Sequence, residues 1–306
     1  MSVAGVHVNP LWPNLGVGLA GVIWGCFWIP ARYFDANGLS HGMMSTALFA
    51  VTVLALLPWA LMRFRPAAAE RGALVHIALF AGTAYAFYAN SLLLTEVIRA
   101  LLLFYLTPIW GTVMGIAFLG ERLSWARVLA IGLGVAGALV ILGLDHGLPL
   151  PRNAGDWMAL SAGVLWAYAC VGMARSDHVP IAHQTFAWIF GALVMSALLV
   201  MVLAPGAVAM PKLGTQAVLA FLAFALIINL PCMAIVVWGA RLLSPGRVGI
   251  LLAGEIAFGV VSAAILTDEA FGMREMVGTA LILSAVLVEV LGTPQRAPAG
   301  QGAVSP

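Results

Sequence analysis

A short apolar pattern near the N-terminus, Ala20-Gly21-Val22-Ile23-Trp24, returns 142 residues later as Ala162-Gly163-Val164-Leu165-Trp166. Gly120-Glu121, which closes one apolar run, is echoed 148 residues on by Asp268-Glu269, and Arg99 ahead of the first run is echoed at the same spacing by Arg247. Both offsets are close to half of the 306-residue chain. Only 8% of the residues are charged and 63% are hydrophobic, with a mean hydropathy of +1.05. An ordinary soluble domain carries about a quarter charged residues, so much of this surface must face lipid. A membrane-embedded chain in two related halves is the usual plan of a secondary transporter.

The remaining composition narrows the chemistry. A net charge of +2 gives no basis for a nucleic-acid-binding surface. Cys26, Cys170 and Cys232 stand singly in apolar runs, without the spacing of a disulfide framework or a zinc site. No metal or other cofactor is expected. The first twelve residues hold no Lys or Arg. The first apolar run therefore reads as a retained span and not as a cleaved signal.

A hydrocarbon core needs roughly 20 apolar residues per helix. Cutting at Pro, Gly and charge clusters predicts ten spans, near 13–33, 41–62, 72–94, 98–118, 124–144, 156–175, 180–203, 214–240, 246–267 and 271–292. The expected fold is all-α, with one five-helix repeat in residues 1–150 and a second in 151–306 that ends in a short disordered tail. An odd number of spans per half makes the repeat inverted, about an axis in the membrane plane. Nine of the 14 Lys and Arg residues fall on one side in this scheme, which predicts both termini in the cytoplasm. Trp12, Trp125 and Trp157 sit at span ends, where an aromatic belt belongs.

The stretch Arg99-Ala100-Leu101-Leu102-Leu103-Phe104-Tyr105-Leu106-Thr107-Pro108 leads to Gly120-Glu121-Arg122-Leu123-Ser124 and then to Gly132, Gly134 and Gly137 in an apolar helix. This resembles the repeat unit of the drug/metabolite transporter superfamily, EamA type. The second half keeps less of it: Gly254-Glu255-Ile256 replaces Leu-x-Pro, and Asp268-Glu269 replaces Gly-Glu. The resemblance implies a multi-pass transporter of the bacterial inner membrane. The aromatic content of the central helices looks most like the aromatic amino-acid exporter branch. The implied partners are amino-acid substrates and the lipid bilayer, with a monomer sufficient for function.

Candidate site residues follow from depth and chemistry. Trp24 and Trp166 hold matching positions in the two halves, and Trp28 shares a face with Trp24. Tyr85 and Tyr88 share one face of the third span, and Tyr105 lies mid-span in the fourth, three residues before Pro108. A buried phenol wants a hydrogen-bond partner that lipid does not offer. These rings are read as the wall of a central cavity; packing within the bundle is the alternative. Asn229, ahead of Pro231, and Glu255 supply polarity. A charge at mid-membrane costs about 2.5–3.5 kcal/mol on insertion scales. Glu255 is therefore either a proton-coupling or amine-binding group or a structural carboxyl, and the residues leave both open.

Other motifs are read as structural. Gly132-Leu133-Gly134-Val135-Ala136-Gly137 fits a dinucleotide fingerprint, but it lies inside an apolar helix without a preceding strand. Close helix packing explains it better. His76 is placed near an interface as a solvated residue. No nucleophile–base arrangement appears, so no catalytic residue is assigned. An export function for aromatic amino acids is the leading expectation. Another small metabolite or a cationic drug comes second, and an intramembrane enzyme a distant third.

Overall fold

The computed structural model describes residues 2–3, 6–7, 9, 11–27, 29–30, 33–34, 37, 39, 41–95, 97–142, 150–203, 214–266 and 272–292. Trp28, the Asp268-Glu269 pair and the C-terminal tail lie outside the described residues. A minimal antiparallel hairpin, β1 (Ser2–Val3) with β2 (Val6–His7), precedes the helices. All other regular structure among the described residues is helical.

In the first half, the helices are α1 (Leu11–Gly25), α2 (His41–Arg63), α3 (Ala68–Leu94), α4 (Val97–Phe104), α5 (Thr107–Leu119) and α6 (Trp125–Leu142). In the second half they are α7 (Ala154–Arg175), α8 (Ile181–Leu203), α9 (Thr215–Ala223), α10 (Leu230–Leu242), α11 (Pro245–Leu252), α12 (Gly254–Leu266) and α13 (Met273–Gly292). Eight helical stretches among the described residues are long and apolar enough to cross a bilayer, and Trp125–Ile141 is a shorter apolar one. With no water in a bilayer core, the backbone must satisfy itself, which is why a chain this apolar forms helices.

Helix ends follow local chemistry. α5 stops at Gly120, whose φ of +65° suits a residue without Cβ. Asn153 caps α7 by accepting from the Asp156 amide at 2.8 Å, and Ser244 caps α11 by accepting from the Arg247 amide at 3.3 Å. Pro245 then sits in the first turn of α11, where its missing N–H costs nothing.

Two spans are broken within their first halves, at positions 148 residues apart, each with an 8-residue helix before the break and a 13-residue helix after it. The Arg99–Leu119 span changes from α4 to α5 at Tyr105–Leu106. The Pro245–Leu266 span changes from α11 to α12 at Ala253. Pro108 in the first turn of α5 explains the first break, since it offers no N–H to the preceding turn. The segment between α9 and α10, Phe224–Asn229, is a π-helical turn, with the Leu230 amide reaching back to the Ala225 carbonyl just before Pro231.

Close approach of backbones holds the bundle. α3 packs along α7 and α8, α6 along α13, α5 along α11, and α1 along α10 and α12. A Cβ on Gly82 would collide with the Gly191–Ala192 backbone, so α3 and α8 meet main chain to main chain. A Cβ on Gly137 would likewise come within 2.7 Å of the Gly278 carbonyl oxygen, whereas one on Gly132 would meet nothing within 4 Å. Of the three glycines in the fingerprint-like stretch, Gly137 is thus the one that packing requires.

The arginines counted in the sequence as topology markers divide: Arg63, Arg65, Arg71, Arg122, Arg152, Arg175 and Arg274 are exposed, whereas a smaller group of charges is buried. Arg99, Arg127, Asp156, Arg247 and Glu289 are all sequestered. Arg127 bridges Glu121 at 3.0 Å and Glu289 at 2.8 Å, tying α6 to α13. Arg99 pairs with Asp156 at 2.6 Å. Arg247 donates from Nε to the Asn14 Oδ1 at 2.8 Å. The burial of Arg99, Arg127 and Arg247 corrects the simpler view of these three as solvent-facing topology markers. Glu289 is a second acid within a span, fully buried where Glu255 is part-buried.

Candidate functional site

The helix breaks place the site. Tyr105 and Thr107 flank the break between α4 and α5, and Glu255 stands in the first turn of α12, just past the other break. A carboxylate is favoured at a helix N-terminus, where backbone N–H groups and the helix dipole present positive charge. That position offsets part of the desolvation that the middle of a span imposes.

Around these groups lies a cavity of about 180 Å³. Its aromatic wall comes from Trp24, Tyr85, Tyr88, Tyr105, Trp166 and Trp188, with Phe27 and Phe104 beside them. Ala84, Ala89, Leu92, Gly249 and Leu252 complete the apolar surface, and Thr107 and Glu255 are its remaining polar groups. Glu255 is the one acidic or basic member among the described lining residues.

The rings brace one another. Trp166 and Trp188 lie 4.9 Å apart between centroids, and Trp24 meets Trp188 edge-on at 6.4 Å. Trp188 is fixed in turn by its indole N–H, which donates to the Ala81 carbonyl at 3.1 Å. Tyr85 packs edge-on against Phe49 at 4.6 Å, and Tyr88 against Phe104 at 4.3 Å. Contacts of this kind are worth about 0.5–1.5 kcal/mol each beyond the area they bury. A wall fixed this way is largely preorganised.

The polar groups are unevenly supplied. The Glu255 carboxyl interacts electrostatically with the hydroxyls of Tyr85, Tyr88 and Tyr105. Tyr105 faces it most directly, although its hydroxyl makes no hydrogen bond of regular geometry. The Thr107 hydroxyl donates to the Phe104 carbonyl. At the N-terminus of α5, Pro108 has no N–H, and the amides of Ile109 and Trp110 both point to the Leu106 carbonyl. The cavity therefore pairs one carboxyl acceptor with tyrosine hydroxyls, of which that of Tyr105 is buried without a regular partner.

The structure brings Trp24, Tyr85, Tyr88, Tyr105, Trp166 and Glu255 to this one cavity. Asn229 is elsewhere: it is buried at the end of the π-helical turn, with its amide toward the Met233 sulfur at 3.6 Å. Tyr168 points away from the cavity, against His76, Phe80 and Phe118. His76 is not simply solvated; its Nε2 lies 3.0 Å from the Tyr168 carbonyl oxygen. Trp188 was missed in the sequence because position 48, its counterpart at the helix-to-helix spacing of α2 and α8, is a leucine. Phe27 and Phe104 carried no signal beyond their hydrophobicity.

Residues 11–143 match the model of the EamA-like transporter family. A solved structure titled only "Crystal structure of protein" shares the fold with a TM-score of 0.73, at 20% identity over 91% of this chain and 98% of that one. A search of the curated proteins finds no match. The class is thus a multi-pass helical membrane protein whose first half is similar to EamA-like transporters. That family is one of transporters, and the similarity covers fewer than half of the residues of this chain.

Proposed function

We propose that the chain is a secondary transporter of the bacterial inner membrane that exports amino acids, aromatic ones foremost. In this reading ten spans form two inverted five-helix repeats, residues 1–150 and 151–306, with both termini in the cytoplasm. The observation that carries it is a wall of six Trp and Tyr rings around a single carboxylate, placed where two spans are broken. Broken helices near mid-membrane are where such transporters bind substrate. The rings of Trp24, Tyr85, Tyr88, Tyr105, Trp166 and Trp188 hold an aromatic side chain. Glu255 meets its ammonium group. The two halves then rock about the occupied cavity. Both halves contribute to the wall, so one chain suffices.

The cavity's size supports a small metabolite. Its volume of about 180 Å³ is below the roughly 300–1,000 Å³ of clefts for drug-sized ligands. The absence of Lys, Arg and His among the described lining residues disfavours a nucleotide sugar, whose phosphates call for cations. Trp28 and Asn229 remain candidates from the sequence, Asn229 as a residue that acts through the π-helical turn.

One observation favours a second reading. The lining offers a carboxylate for an ammonium group but no cation for a carboxylate. An aromatic cage with one acid suits an organic cation. Counterflow in reconstituted vesicles separates the two, using labelled phenylalanine, alanine and phenethylamine, each with and without a pH gradient. Export of amino acids predicts that phenylalanine is carried in preference to alanine. Preference for phenethylamine over phenylalanine moves the assignment to cationic amines. No movement of any of the three overturns both readings.

A further inference from the structure

The two arginines that the repeat pairs, Arg99 and Arg247, take no part in the cavity. Each starts a broken span, and each crosses from its own half to the first helix of the other. Arg99 opens the Arg99–Leu119 span and grips Asp156 in the first turn of α7, through Nη2 at 2.6 Å and Nε at 3.3 Å. Arg247, in the first turn of α11, reaches Asn14 in the first turn of α1 at 2.8 Å. Asn14 and Asp156 are 142 residues apart, the same offset that relates Trp24 to Trp166. The two contacts are therefore copies of one another, exchanged between the halves.

They stand at opposite ends of the bundle. The span that begins at Arg99 ends at Leu119, and Glu121 just beyond it pairs with Arg127. Arg127 also binds Glu289 at the end of α13, where the Arg247 Nη2 donates to the Val290 carbonyl at 2.9 Å. A helix of this length covers about 30 Å, so the cavity lies between the two arginines. The surroundings of each are built for it. Thr95 donates to Asp156 at 2.6 Å, the Arg152 amide donates to it at 2.9 Å, and Asn153 ties to Thr95 at 3.0 Å. Arg99 additionally donates to the Leu150 carbonyl at 2.8 Å. Arg247 feels the Glu289 carboxylate, but that acid belongs to its own half.

The matched positions differ in charge. Asp156 gives the Arg99 end a carboxylate across the boundary between halves, and Asn14 gives the Arg247 end an amide. Hydrogen bonds between ionised partners are roughly twice as strong as neutral ones. We propose that Arg99–Asp156 and Arg247–Asn14 are a matched pair of latches that close the two ends of the cavity, and that the Asp-for-Asn difference sets which end opens more readily. Of the two matched contacts Arg247–Asn14 is the weaker, while the buried Arg127–Glu289 pair, which no exchange of Asp and Asn alters, also joins the halves at that end; the Asp-for-Asn difference therefore biases the balance between the two faces. This rests on the alternating-access reading, but not on any particular substrate.

The test is accessibility of the cavity from each face. Ala89 lines the cavity and is replaced by cysteine in a chain whose three native cysteines are changed to alanine. A membrane-impermeant maleimide is then applied to right-side-out and to inside-out vesicles. The unaltered chain sets the reference ratio of labelling from the two faces. Asn14→Asp strengthens that end, and Asp156→Asn weakens the other, so each should move access toward the Arg99 face. The double exchange should move the rate ratio furthest toward the Arg99 face, by about tenfold or more, as expected when hydrogen bonds to charged groups are gained at one end and lost at the other. Should Asp156→Asn fail to fold, Asn14→Asp alone decides, because it adds an acid opposite an existing arginine. Labelling from both faces with a ratio that none of these changes moves overturns the latches. Labelling confined to one face in every variant overturns alternating access itself.

Discussion

At the residue scale, Trp166 and Glu255 divide the work of the site between shape and charge. Trp166 is buried against Trp188 and faces the cavity. Trp166→Ala and Tyr88→Ala should each raise the half-saturation of phenylalanine transport about tenfold, while alanine transport changes little, since ring stacking and apolar contact supply that affinity. Equal losses for the two substrates, measured in the same vesicles, would remove these rings from substrate contact. Glu255→Gln keeps the shape and removes the charge. If the carboxylate couples protons, the variant loses its response to a pH gradient but keeps part of its downhill exchange. If it is structural, the Gln variant transports as before, because a protonated acid and an amide are close in size and both can donate. Thr107 occupies the matching place in the first half, so repeat symmetry does not itself require an acid here.

At the scale of elements, the helices that touch through bare backbone tolerate the least. Gly82→Ala puts a Cβ into the Gly191–Ala192 main chain, where no flexible side chain can yield. It should cost about 1–3 kcal/mol as overpacking does elsewhere, read as a lowered Tm in detergent. Gly72→Ala is the control, because Gly72 lies in the same helix with nothing within 4 Å, and its Tm should hold or rise slightly. These elements were legible from hydrophobic run length: the α2, α3, α7 and α8 boundaries lie within a few residues of those expected. The breaks were only partly legible. Pro108 announces the one before α5, but no proline marks Ala253, where the second break matches the first by position in the repeat. The cavity aromatics were legible where they repeat, as with Trp24 and Trp166, or sit at mid-span, as with Tyr85, Tyr88 and Tyr105. Trp188 does not repeat, and its role emerges only when α8 packs against α3 and brings it to Trp166. The buried arginine networks were hidden for a related reason. A charged residue at a helix end looks the same in sequence whether it meets water or a partner from the other half.

At the scale of the whole molecule, the pairs of partners point to a swapped architecture. Arg99 and Arg247 each bind the first helix of the opposite half, and the two spans they begin are broken at matching places. Two parallel repeats would put the matched contacts on one face. Inverted repeats put them on opposite faces, which agrees with the full span separating Arg99 from the Glu121–Arg127–Glu289 cluster beside Arg247. The consequence for topology is definite. A cysteine placed at Arg152, ahead of α7, should be modified by an impermeant reagent from one side of the membrane. A cysteine at Arg122, after α5, should be modified from the other side, together with one introduced at Asn9 ahead of α1. In the proposed topology the Arg122 side is the cytoplasm. Finding Arg152 and Arg122 on the same side would break the inverted repeat. Finding them on opposite sides with Asn9 beside Arg152 would keep the first half's threading from α4 onward but remove α1 as a full crossing, since α1 has only 15 helical residues and a span needs about 20. With Asn9 beside Arg122, the helix must complete its crossing through residues beyond Gly25, and the Trp24 side chain then lies at mid-membrane depth like Trp166, its counterpart on the other wall of the cavity.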